Sequence, residues 1–236
     1  MNNYSYIGSE LELFSTAVNW KAYLRQLIIP YIGSNVLEVG AGIGGTTCAL
    51  YTPRCHNWLC LEPDLSLVDE LQENLIKATL EKCQVRGGTL SDLLPEEKFD
   101  TILYIDVLEH IRTDRDELKA AMSHLQWGGQ VIVLSPAHQW LFTPFDEAIG
   151  HYRRYTRQTL SALTPTGLTL QRIIYLDCVG LLASLANRVF LKSKMPTSSQ
   201  IKVWDQMMVP VSKHIDPILK YSLGKSILGI WQRKEQ

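Results

Sequence analysis

No two cysteines are spaced as Cys-x-x-Cys, and the total of five (Cys48, Cys55, Cys60, Cys83 and Cys178) is odd. This argues against a disulfide framework or a thiolate zinc site and favours a reducing compartment. Neither charge is in excess: 23 Lys and Arg stand against 24 Asp and Glu, for a formal net charge of −1. A nucleic-acid partner, which would call for a basic field, is therefore not expected. An uncharged apolar run of about 18 residues, enough to cross a membrane, is missing too. The nearest, Ile173 to Leu191, is broken by Asp177 and Arg188. Met1-Asn-Asn-Tyr-Ser has none of the basic-then-apolar pattern of a signal peptide, so the expected location is cytoplasmic. Repeats and low-complexity tracts are absent from the sequence.

What remains is a chain of 236 residues with 46% hydrophobic content, enough to bury one α/β core over 1–236. Val36-Leu37-Glu38-Val39 reads as a doubly buried strand. It runs through Gly40-Ala41-Gly42-Ile43-Gly44 into a helix opening at Thr46 to Leu50. A strand passing through glycines into a helix aims bare N–H groups and a positive dipole end at one spot, which suits a nucleotide or an anion. Before it, apolar residues at helical spacing over 11–29 predict one helix or two short ones, ended by Pro30. After it come strands at Trp58–Glu62, Cys83–Gly88, Phe99–Asp106 and Gln130–Ser135, with helices at Leu65–Leu80 and Asp114–Leu125 between them. Gly128-Gly129 is read as the end of the second helix. Such alternation means a parallel sheet with helices on both faces. From Ala137 to Tyr155 no element is evident. A short helix (Arg157–Leu163), a strand (Leu168–Tyr175), an apolar helical stretch (178–223) and a closing strand (Ser226–Gln232) follow.

Gly40, Gly42 and Gly45 satisfy G-x-G-x-x-G, with Glu62 about twenty residues beyond, so a nicotinamide dinucleotide is one reading. Three features weigh against an NAD-dependent oxidoreductase. Glu38 is expected to aim a carboxylate beside the loop, a poor neighbour for pyrophosphate and a good one for an ammonium group. There is no second glycine-rich half. The only Tyr-x-x-x-Lys, Tyr221 to Lys225, sits near the end of the chain and reads as chance.

Glu38-x-Gly-x-Gly-x-Gly after a strand, an acid ending the next strand, and a hydrophobic fourth strand opening with Phe99-Asp100 together resemble the class I S-adenosylmethionine-dependent methyltransferases. The likeness is strongest over 30–135, the implied cofactor-binding core, and leaves 137–223 for a substrate loop and a helical cap. It implies a Rossmann-like α/β fold: a seven-stranded, mostly parallel sheet in the order three-two-one-four-five-seven-six, with an antiparallel last strand and a C-terminal helical cap. It implies S-adenosyl-L-methionine as cofactor and S-adenosyl-L-homocysteine as product. Gly40, Ala41 and Gly42 would pass under the methionine and ribose, Glu38 would anchor the loop, and Glu62, followed by Pro63, would accept both ribose hydroxyls. Leu90, Ser91 and Asp92 would frame adenine, although Thr89 stands where this family often has an acid. Asp106 and Val107 would meet the methionine group and His110 would face the acceptor.

Phe145-Asp-Glu-Ala-Ile-Gly-His-Tyr-Arg-Arg-Tyr155 is the most individual stretch, and it resembles a D-x-x-x-G-H-x-R-R-Y signature in a subgroup of these enzymes. His151, Arg153, Arg154 and Tyr155 offer a titratable ring, two guanidinium forks and a phenol. Such a set suits an acceptor bearing a carboxylate or phosphate and a proton to be removed. His110, His151 and Tyr155 are the candidate catalytic groups, and Asp146, Arg153 and Arg154 the candidate substrate contacts. The plainer alternative has the arginines pairing with Asp146 and Glu147 to fasten the loop. Asp92 as a turn cap and Glu109 as a structural or solvated residue are the corresponding alternatives at the cofactor end. His56, His124, His138 and His214 read as surface or loop residues. Because the sulfonium methyl is already activated, no metal is expected, and the acceptor should be a small molecule. Residues 178–223 read as a cap on the core, a lid over the acceptor, or a face touching a membrane or a partner. A cofactor-bound regulatory protein without turnover is the non-enzymatic alternative.

Overall fold

The computed structural model describes residues 10–186 and 195–234. Two short helices, α1 (Glu10–Ser15) and α2 (Val18–Ile28), precede the sheet. Then come β1 (Asn35–Val39), α3 (Gly45–Leu50), β2 (Asn57–Glu62), α4 (Leu65–Lys77), β3 (Cys83–Gly87) and β4 (Phe99–Ile105). The chain continues through α5 (Asp114–His124), β5 (Leu125–Pro136), α6 (Pro144–Ala148), α7 (Arg157–Ser161) and β6 (Leu168–Leu176). Helices α8 (Cys178–Ala186), α9 (Ser198–Val203) and α10 (Val209–Ile218) lead to β7 (Ser226–Arg233), with a π turn at Trp204–Met208. The strands form one sheet in the order β3-β2-β1-β4-β5-β7-β6, as the resemblance implied. β7 runs antiparallel to both its neighbours.

Strand residues alternate between two cores because successive side chains leave opposite faces of a pleated sheet. Val36, Trp58, Cys60, Leu103, Ile132, Leu134, Leu228 and Ile230 pack under α2 and the C-terminal helices. Leu37, Leu59, Leu61, Ile102, Tyr104, Val131, Val133 and Trp231 fill the other face, under α5 and α7. Asp64 caps α4, its Oδ1 accepting from the Ser66 N–H at 2.9 Å.

Two boundaries differ from expectation. Helix α5 passes directly into β5 at Leu125, so Gly128-Gly129 lie inside a twelve-residue strand and do not terminate the helix. Gly129 lets the strand pass close to its neighbour, since a Cβ there would sit 2.9 Å from the Asp100 carbonyl oxygen. The stretch after Pro136, expected to be irregular, contains α6, opened by a capping box between Thr143 and Asp146. The 178–223 cap includes residues 187–194, which lie outside the described residues.

Candidate functional site

Parallel strands end together, so β1, β2, β4 and β5 deliver their following turns to one rim. Gly40 and Gly42 have φ of +68° and +55°. A Cβ on Gly40 would meet Val107 Cγ2 at 2.7 Å, so the turn needs glycine for both conformation and space. The N–H groups of Gly40 and Ala41 donate to the Leu61 carbonyl at 2.8 and 3.0 Å, which fixes the turn against β2.

Glu62, only 5% exposed, ends β2. Its Oε2 accepts from Gly42 N–H at 2.7 Å and its Oε1 from Asp64 N–H at 2.9 Å. Burial raises its pKa, while these two bonds oppose the rise. A carboxylate has about four acceptor sites. One backbone bond per oxygen therefore leaves each oxygen able to take a further hydroxyl, and this acceptor set fits a ribose diol. Pro63 is half-buried directly beyond it, and Leu11 of α1 lies over Gly42.

Glu38 takes the anchoring role rather than presenting its carboxylate beside the loop. Its carboxylate is buried beneath the turn, where Oε2 accepts from Thr47 Oγ1 at 2.8 Å and Trp58 Nε1 at 2.9 Å. Burial pushes its pKa up to about 7 against those two bonds. It anchors α3 and β2 to β1, and its Oε2 is engaged inside the protein. On the adenine side, Leu90 is buried in the core beside Leu59 and Leu61. The exposed Ser91 hydroxyl lies 2.8 Å from Thr89 Oγ1. Asp92 Oδ2 accepts from Thr89 N–H (2.8 Å) and Oγ1 (3.0 Å), the capping arrangement weighed above, and these bonds lower its pKa.

Beyond β4 the chain turns at Asp106 (φ +56°), whose N–H donates to the Leu134 carbonyl at 2.9 Å. Its side chain opens to solvent at the bottom of the cleft, where the surrounding protein still lowers solvation and raises its pKa to about 6. A 3-10 turn then carries Leu108, Glu109 and His110. Glu109 is fully buried, contrary to a solvated reading: Oε2 accepts from Ser135 Oγ at 2.9 Å, while Oε1 has no hydrogen-bond partner. Burial, aided by Asp106, puts its pKa well above the ordinary value. The His110 and His151 rings meet edge to face at 4.4 Å. Burial and His151 lower the His110 pKa to about 4. The sequence names His110 and His151 separately, and the fold brings their rings together; Glu109, expected to be structural or solvated, is buried.

The loop residues are committed to one another. Asp146, 0% exposed, accepts from Arg154 Nε at 2.7 Å and from the second fork nitrogen at 2.9 Å. It also accepts from Thr143 N–H at 2.9 Å, and its Oδ1 lies 3.0 Å from His151 Nδ1. Burial alone would raise the Asp146 pKa, but these bonds and the Arg154 charge hold it well below the carboxylate range. Arg153 pairs with Asp114 at 2.5 Å and donates to the Arg112 carbonyl at 2.8 Å. Tyr155 is buried in the core, donating to Asp114 Oδ2 at 2.8 Å and the Leu108 carbonyl at 3.3 Å. Asp146, Arg153 and Arg154 therefore fasten the loop, as the plainer alternative had it, with Asp114 in the place foreseen for Glu147. Tyr155 is corrected from reacting group to support, since burial and Asp114 raise its pKa and engage its hydroxyl.

Of the other histidines, His124 is buried with Nδ1 on the Glu97 carbonyl at 2.9 Å, and His138, in the loop after β5, stacks on Tyr175 at 4.6 Å. The C-terminal helices are tied down by buried acids. Asp216 accepts from Tyr23 Oη at 2.9 Å and Asp177 N–H at 2.7 Å. Asp177 accepts from Trp204 Nε1 and Ser212 Oγ, both at 2.6 Å, and lies 3.5 Å from Lys225 Nζ. Asp205 accepts from Trp20 N–H at 2.9 Å. Among the described residues no helix is long and apolar enough to cross a membrane.

Residues 37–131 match a family model described as a methyltransferase domain. No curated protein matches the chain. Solved structures with this fold include the YcgJ protein of Bacillus subtilis, 15% identical over 92% of this chain and 99% of that one, with TM-score 0.62. An S-adenosylmethionine-dependent methyltransferase from Clostridium acetobutylicum is 13% identical over 92% of both chains, with TM-score 0.59. The N-methyltransferase NodS of Bradyrhizobium japonicum is 14% identical over 96% of this chain and 99% of that one, with TM-score 0.57. At such identities the likeness concerns the fold. Residues 37–131 carry the match to a methyltransferase domain, and the whole chain shares the fold of these solved structures.

Proposed function

We propose that the chain transfers the methyl group of S-adenosylmethionine to an oxygen or nitrogen atom of a small molecule lodged between the glycine turn and the paired rings of His110 and His151. The acceptor lone pair forms the new bond to the methyl carbon while the carbon–sulfur bond breaks. That electron pair stays on sulfur, leaving a neutral thioether. What the protein adds is alignment, exclusion of water from the reacting atoms and a path for the acceptor's proton. The observation that carries the reading is the placement of two features on one rim. Glu62 has acceptor capacity left at the end of β2, and a titratable cluster stands at the exit of β4.

Within this reading Glu62 takes the ribose hydroxyls, Gly40, Ala41 and Gly42 the methionine side, and Leu90 to Asp92 the adenine edge. Asp106 and Val107 line the floor. His110 is a poor proton acceptor near neutral pH, because a base with a pKa of about 4 has little driving force there. The paired state of Arg153 and Arg154 speaks against a carboxylate or phosphate held by those forks. The buried ties of Asp177, Asp205 and Asp216 favour a docked cap over a lid that lifts as a unit. Methyl-labelled cofactor incubated with enzyme and a fractionated metabolite pool is expected to yield one labelled small molecule, and no label with His151→Ala. Label in every fraction, or equal labelling by the variant, would refute the assignment.

A further inference from the structure

Glu109 Oε1 is a fully buried oxygen with no hydrogen-bond partner, and a lone buried acceptor of this kind demands a ligand. It faces His151 Nε2 at 3.8 Å, too far for a hydrogen bond between them. One donor atom each from Glu109, His110 and His151 falls within 4.8 Å of the other two. We propose that these three residues bind a divalent first-row transition cation, and that its open positions receive a hydroxyl of the methyl acceptor. Two imidazoles and one carboxylate are the mixed nitrogen and oxygen set that manganese, iron, cobalt and zinc accept. Tetrahedral bonds of about 2.0–2.1 Å set ligand atoms about 3.3–3.4 Å apart. The 3.8 Å gap between Glu109 and His151 therefore has to close by about half an ångström, and the set as a whole, which spans up to 4.8 Å, has to draw in around the ion.

The surroundings are built for this. His151 Nδ1 bonds to Asp146 Oδ1 at 3.0 Å, which turns the Nε2 lone pair toward Glu109. A carboxylate behind a histidine ligand fixes its tautomer and raises its basicity. Asp146 is itself held by Arg154 and Thr143, and Glu109 Oε2 by Ser135. The nearby cations are already balanced, Arg154 by Asp146 and Lys225 by Asp177. Asp106 adds negative charge from the cleft side. Three protein ligands leave room for substrate, and a bound cation lowers the pKa of a coordinated hydroxyl. The hydroxyl proton then passes to solvent and the oxygen attacks the methyl carbon. The two histidines thereby act as ligands, the acceptor atom is oxygen, and the expectation of a metal-free site is revised. The inference rests on the methyl-transfer reading and deepens it.

The test uses the whole chain after dialysis against a chelator. Manganese is titrated by calorimetry and by the loss of its free-ion paramagnetic resonance signal, and S-adenosylhomocysteine is titrated separately. The expected result is one manganese per chain, weakened at least 100-fold in Glu109→Gln and about 10- to 100-fold in the positioning variant Asp146→Asn. S-adenosylhomocysteine affinity should be unchanged in both variants, which shows that they are folded. Methyl transfer should vanish on chelation and return with manganese. S-adenosylhomocysteine binding without manganese binding would overturn the metal site and leave the cofactor reading standing. Metal binding without S-adenosylhomocysteine binding would support the metal site and defeat the cofactor reading. Full activity in the chelated protein would overturn the proposed role of the cation.

Discussion

Asp146→Asn is the perturbation with the most to say about the loop. The wild-type carboxylate is completely buried and serves five donor contacts: two from Arg154, two from Thr143 and one from His151. His151 and Arg154 Nε share Oδ1, while both Thr143 donors and the second Arg154 nitrogen share Oδ2. An amide must therefore set its NH2 group against donors whichever way it turns. It also leaves the Arg154 guanidinium, with its side chain only 12% exposed, without a counter-charge. Breaking a buried pair by removing one partner costs about 3–5 kcal/mol. For a chain of this length that is a fall in Tm of about 6–20 °C. The sign of the pH dependence follows from the depressed pKa of Asp146. Its stabilisation is complete above the unfolded value of about 3.9 and fades as pH drops below it. The gap between wild type and variant should accordingly be full at pH 7 and narrow below about pH 4. Chemical denaturation across pH measures this. A variant within about 2 °C of wild type at pH 7 would show that Asp146 does not hold the loop.

Three further outcomes follow from other parts of the site. Glu38→Gln keeps an oxygen for Thr47 and Trp58 and removes the charge. Because burial raises the Glu38 pKa to about 7, its support for the fold is complete below the unfolded value and is lost as pH climbs through 7, so the variant should be more stable than wild type by up to about 3 kcal/mol at pH 8 and equal to it at pH 4. Parallel denaturation slopes for both proteins between pH 4 and 8 would contradict this. Gly40→Ala places a Cβ 2.7 Å from Val107 at a φ of +68°, and should cost about 1–2 kcal/mol and at least tenfold in S-adenosylhomocysteine affinity by calorimetry. Tyr155→Phe should lower stability by about 1–3 kcal/mol by leaving Asp114 short of a donor, with kcat nearly unchanged. A hundredfold fall in kcat with normal stability would return Tyr155 to the reacting groups.

The cofactor half of the site was legible because its chemistry is local in sequence. The Gly40 to Gly44 turn, the acid at Glu62 and the cap at Asp64 each follow directly from a strand, and strand ends in a parallel sheet share a rim by construction. The anchoring role of Glu38 was foreseen but its partners were not, because a side chain's strand position does not name its neighbour across the sheet. Trp58, its partner, lies on β2 directly opposite Val36. The acceptor side was harder. His110 and His151 are 41 positions apart and were named separately, while Glu109 gave no sign that one of its oxygens is sealed in and unpaired. Arg153 found Asp114, on a helix far along the chain, because the loop folds back over α5; no spacing rule within the loop could reveal that pairing.

The most direct measurement is calorimetric titration of S-adenosylhomocysteine into wild type and Glu62→Ala, with NADH as the competing ligand. Binding in the micromolar range by wild type, none by the variant and none for NADH is what the bound backbone and spare acceptor capacity of Glu62 require. Equal binding by Glu62→Ala, or a preference for the dinucleotide, would contradict the account.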